Sequence, residues 1–126
     1  MKRWELALRL YREALSLSPN PPPFQLYVVH NNIGWSLFNM GDWAGAEEEY
    51  RLALAAQQPS GQPPTDHAYI NLATLYKAQG RSKATIKVYQ RAVKLTQQLS
   101  TWAALGWALM REYRVEEAVS ALQEGL

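Results

Sequence analysis

The chain has 126 residues, 48% hydrophobic and 19% charged, with a net charge of +2 from 13 basic and 11 acidic side chains. That composition builds a core of ordinary domain size and excludes a disordered tail. There is no cysteine, which excludes disulfides, thiolate metal sites and a cysteine nucleophile, and so small a net charge is no footprint of nucleic acid.

The first predicted helix covers 3–17, where WELALRLYREALSLSP places Ala7, Tyr11 and Ala14 at helical spacing. The proline-rich insert SPNPPPFQ follows and reads as a stiff spacer or a docking segment at one edge. A second helix is predicted over 24–39 and ends at Gly41, a residue that favours the left-handed cap. Its Ile33-Gly34 pair, followed by Leu37, marks a face where only a very small side chain fits against a neighbouring helix. The third helix, 43–57, carries Ala46, Tyr50 and Ala53; Gly45 has no evident role beyond a tolerated surface position. After a second insert, QPSGQPPTD, helices are predicted over 66–79, 82–97, 100–111 and 114–124. Gly80 ends the first of these four, and Leu72-Ala73 and Leu105-Gly106 repeat the aliphatic-small pair.

The elements therefore form one unit used again and again: helix, short turn, helix. The second helices place a small residue, a large one four later and a small one three after that. These are Ala7, Tyr11 and Ala14; Ala46, Tyr50 and Ala53; Thr85, Tyr89 and Ala92; and Ala118, Leu122 and Gly125. Successive copies start 39, 39 and 33 residues apart.

This pattern resembles the tetratricopeptide repeat (TPR) family, whose unit of about 34 residues follows W-x2-L-G-x2-Y…A-x3-F…P. The matching residues are His30, Ile33, Gly34, Leu37, Ala46, Tyr50 and Ala53 in one copy. They are Tyr69, Leu72, Ala73, Tyr76, Thr85, Tyr89 and Ala92 in the next, then Trp102, Leu105, Gly106, Leu109, Ala118 and Leu122. The resemblance implies an all-α, right-handed superhelix of antiparallel helix pairs with about seven helices in a single domain, 1–126. Its parts would be a lone second helix (1–21) and repeats at 27–59, 66–98 and 99–126. Both ends look uncapped, which suggests a piece of a longer array or ends that pack on copies of the chain.

In this family the first helix of each pair lines the concave wall. The resemblance thus implies a groove lined by Asn31, Trp35 and Phe38, by Ile70, Thr74 and Lys77, and by Ala103, Trp107 and Met110. Trp35 and Trp107 share a register and are candidate aromatic anchors, whereas Trp4 and Trp43 begin second helices and read as structural. Asn32 and Asn71 also share a register; in some members asparagines there hold a peptide backbone. The family's carboxylate clamp is missing, because its places carry Asn31, Trp35, Asn71, Ser100 and Ala104. The implied partner is another protein, presenting a peptide or an amphipathic helix to the groove, and a second copy of the chain is the alternative.

Lys83, Lys87 and Arg91 form a basic stripe, a less favoured site for nucleic acid or another anion. Glu47, Glu48 and Glu49 on one neighbouring second helix and Glu116, Glu117 and Glu124 on the other suggest that charges pair between repeats instead. His30 takes the place of the family's large aromatic and reads as half-buried packing, and His67 as exposed. No metal spacing, phosphate loop or nucleophile elbow occurs, so neither enzyme activity nor a cofactor is expected. The apolar runs are too short to span a membrane, and MKRWELALRLYREAL lacks the apolar stretch of a signal peptide. A cytoplasmic chain is the expectation.

Overall fold

The computed structural model describes residues 2–57, 66–96, 98–112 and 115–125. Among them are seven helices and no strand: α1 (Lys2–Leu17), α2 (Pro23–Asn39), α3 (Trp43–Gln57), α4 (His67–Ala78), α5 (Ser82–Thr96), α6 (Leu99–Arg111) and α7 (Val115–Gly125). The chain folds as two compact units, Met1–Pro64 and Thr65–Leu126.

In the first unit α2 packs on both α1 and α3. Leu8, Tyr27, Ile33, Leu37, Ala46, Tyr50 and Ala53 are buried. A fully buried side chain of the Ile or Leu class contributes about 1.5–3 kcal/mol. The insert SPNPPPFQ contributes less loop than its prolines suggest. Pro23 is the first residue of α2, where the missing N–H costs nothing and the fixed φ suits a helix. The residues of the second insert from 58 to 65 lie outside the described set.

The turn from α2 to α3 is set by Gly41, whose φ of +88° only glycine adopts without strain. Gly41 N–H donates to Phe38 O and Asp42 N–H to Leu37 O, the paired bonds of a Schellman cap. Asp42 then starts α3: its carbonyl accepts from Ala46 N–H and its Oδ1 from Gly45 N–H at 3.0 Å. Gly45 is thereby explained, since a Cβ there would lie 2.5 Å from Asp42 Oδ2.

In the second unit α4 packs on α5, α5 on α6 and α6 on α7. Leu72, Leu75, Ile86, Tyr89, Val93, Leu105 and Leu109 are among its buried side chains. Gly80, with φ +72°, repeats the cap: its N–H donates to Lys77 O and that of Arg81 to Tyr76 O. The N-termini of α4 and α6 are joined by the buried Asp66 and Thr101 and the exposed Gln98. Thr101 Oγ1 donates to Asp66 Oδ2 at 2.7 Å, and the Gln98 amide, turned nitrogen inward, donates to both carboxylate oxygens at 2.9 and 2.8 Å.

Small residues mark the close helix approaches in both units. A Cβ at Gly34 would lie 2.6 Å from the Tyr50 ring, and one at Gly106 would lie 2.8 Å from Leu122 Cγ. Ala73 holds the equivalent place on α4 and is fully buried.

Candidate functional site

In the first unit the groove candidates lie on α2. Asn31 and Asn32 are half-buried, and Trp35 stays 40% exposed although its helix carries the core. Trp35 is not isolated. Its ring stacks on Phe38 at 5.8 Å, and Phe38 stacks in turn on Trp43 at 6.2 Å. The third ring comes from α3, where register alone reads Trp43 as structural. The Gly41-Asp42 turn is so short that Trp43, first in α3, comes within stacking range of Phe38 near the end of α2. Trp43 itself is 38% exposed, so the stack presents two indole surfaces.

In the second unit Ile70, Asn71 and Thr74 are half-buried on α4. The Thr74 hydroxyl donates to Ile70 O of its own helix at 2.8 Å. Lys77 is exposed at the last turn of α4, Trp107 is 67% exposed on α6, and Met110 is 46% exposed. Lys77 and Trp107 line one cavity of about 290 Å³ between α4, α5 and α6. Ser82, Thr85 and Tyr89 of α5, Arg111 of α6 and Glu112 just after it complete its polar lining. None of these five is a site candidate from sequence. The available signal was Arg111 four residues after Trp107, hence on the same helix face. Burial raises the pKa of the Tyr89 hydroxyl and the charge of Arg111 pulls it partly back, which places that guanidinium within electrostatic reach of the phenol.

Two of the glutamates expected to pair between repeats have a described partner within their own helix pair. Glu49 pairs with His30 at 2.9 Å, and Glu47 with Arg51 one turn along α3, both inside the first unit. Both contacts stay within one helix pair, and the second joins residues one turn apart on the same helix. His30 is accordingly a half-buried partner of Glu49 rather than plain packing. Lys83, Lys87 and Arg91 are all exposed, and the side chains of Glu116 and Glu117 lie outside the described residues. Among the described residues no group of three or more His, Asp or Glu could hold a metal ion, and no helix is long and apolar enough to cross a membrane.

Solved structures share the fold. Two crystal structures of MamA superpose with a TM-score of 0.66 each, at 16% and 18% identity. The first match covers 97% of this chain and 86% of that one, the second 98% and 71%. The chain is also 25% identical over 105 residues to anaphase-promoting complex subunit 6 of Arabidopsis thaliana. That match covers 82% of this chain and only 18% of the relative's length. Residues 25–98, more than half of the chain, match the family model described as tetratricopeptide repeat. With its helix pairs, glycine caps and small-residue contacts, the chain belongs to the tetratricopeptide repeat family.

Proposed function

We propose that this chain is a scaffold that receives a segment of a partner protein along the first helices of its repeats. Repeats of this family generally mediate protein–protein interaction, and the Arabidopsis relative is a subunit of a complex. The observation that carries the reading is the exposure of Trp35 and Trp107. Each stands one residue after the buried glycine of its first helix, and each leaves a large indole surface open to solvent. Indole buries much area at little entropic cost, which is why tryptophan dominates binding hot spots.

The test is a selection from a displayed library of random peptides, using the full chain and the double variant Trp35→Ala, Trp107→Ala with wild-type circular dichroism. Enriched peptides should carry bulky apolar side chains and lose about tenfold or more in affinity for the double variant. Equal affinity for both proteins would move recognition away from these helices.

A second reading, self-association, is favoured by α1. Leu6, Leu10 and Leu17 share one stripe by helical spacing and are 52%, 55% and 79% exposed. Light scattering at high micromolar concentration should then report a dimer or larger species that Leu6→Ser, Leu10→Ser returns to monomer. A wild-type chain that is already monomeric ends this reading.

A further inference from the structure

The cavity between α4, α5 and α6 has features that an apolar groove alone does not need. Lys77 and Arg111 enter it from the last turns of two first helices. No described acidic residue forms an ion pair with either. The acidic lining residue is Glu112, so two cations face one carboxylate. Tyr89, 6% exposed, and Thr85, 2% exposed, line the α5 side. The Thr85 hydroxyl already donates to Arg81 O, so the hydroxyls of Tyr89 and Ser82 are the donors that wall offers a ligand. The indole of Trp107 and the methyls of Ala104 and Ala108 supply the apolar part.

We propose that this cavity is a specificity pocket for an internal acidic side chain, aspartate or glutamate, flanked by a bulky apolar residue in the partner segment. The inference rests on the groove reading above and names the chemistry of its ligand. At about 290 Å³ the cavity sits at the lower edge of small-molecule sites, which suits one or two side chains better than a folded ligand. A carboxylate there gains a charge-assisted bond from Lys77 or Arg111 and a phenol bond from Tyr89, while its neighbour lies on the indole.

Two features separate this pocket from other anion sites. The cations do not stand at the family's terminal-carboxylate clamp, whose places hold Asn31, Trp35, Asn71, Ser100 and Ala104. Lys83, Lys87 and Arg91 lie about 200° around α5 from Thr85 and Tyr89, so that stripe is on the other side of the helix from the pocket. A nucleic-acid strand would follow the stripe and a peptide side chain would enter the cavity.

The experiment uses the full chain and amidated random peptides, so that no terminal carboxylate is present. Wild-type protein should enrich peptides with Asp or Glu within about three positions of Leu, Phe or Trp. Lys77→Gln and Arg111→Gln should each weaken those peptides about tenfold, with a shallower salt dependence. Lys77→Glu, Arg111→Glu should enrich basic peptides instead. Enrichment of apolar peptides without acidic preference, unchanged by the Gln variants, would overturn this pocket and leave the groove reading standing. No enrichment at all would overturn both. Binding recovered only with free C-termini, or binding of a short single-stranded DNA that the Gln variants lose, would also overturn it.

Discussion

The Tyr50 ring lies so close over Gly34 that a Cβ at position 34 would come within 2.6 Å of its Cε1. Tyr50 is fully buried and cannot swing aside. Gly34→Ala should therefore push α2 and α3 apart and cost about 1–3 kcal/mol, despite the gain in helix propensity. Gly106→Ala meets a softer neighbour. Its Cβ would face Leu122, which is 40% exposed and free to change rotamer, so the cost should be near zero. Urea unfolding of both variants should show a lower midpoint for the first and an unmoved slope for each.

The same tyrosine carries a hydroxyl that is buried and has no hydrogen-bond partner among the described residues. An unpaired buried hydroxyl costs free energy, so Tyr50→Phe should stabilise the chain by about 1 kcal/mol. Burial also raises the pKa of this phenol above its ordinary value near 10. Above that value the unfolded chain gives up a proton that the folded chain keeps, so stability falls as pH rises further. Below it both states are protonated and the contribution is constant. Alkaline unfolding curves should therefore be shallower above about pH 10 for Tyr50→Phe than for the wild type.

Close approach at Gly34 and Gly106 and left-handed caps at Gly41 and Gly80 were legible in the sequence, because each follows from one residue and its local register. The α3 limits, 43–57, match outright, and the other helices agree to within one residue at every end. What depends on two elements meeting was not legible. Trp43 joins Trp35 only through the geometry of the Gly41 turn, and the Lys77–Arg111 cavity needs three helices in place. Charge pairing was no more legible, because several partners satisfy the pattern; the described contacts of Glu49 with His30 and of Glu47 with Arg51 lie within one helix pair.

Asp42 and Gly45 form a coupled pair. Asp42→Ala removes the cap of α3 and should cost about 1 kcal/mol. Gly45→Ala alone brings its methyl against the Asp42 carboxylate, which must leave the Gly45 N–H. In the double variant no carboxylate remains to displace, and alanine restores about 1 kcal/mol of helix propensity. The pair should thus be less damaging together than the sum of its parts, by at least about 0.5 kcal/mol in a double-mutant cycle. Additive costs would mean that the carboxylate does not hold Gly45.

Asp66 and Thr101 make the longest-range test of the second unit. Asp66 accepts from Thr101, which is fully buried, and from Gln98, so it ties the start of α4 to the start of α6. Asp66→Ala strands the Thr101 hydroxyl, and Thr101→Val strands part of the carboxylate; each should cost about 1–3 kcal/mol. Asp66→Asn differs. An asparagine can still accept from Thr101, and Gln98, which is exposed, can turn its amide to present oxygen to the new NH2 group. Its cost should fall below either of the others. Thermal unfolding monitored by circular dichroism ranks the three. An asparagine variant as unstable as the alanine one would show that the negative charge, rather than hydrogen-bond geometry, holds these two helix starts together.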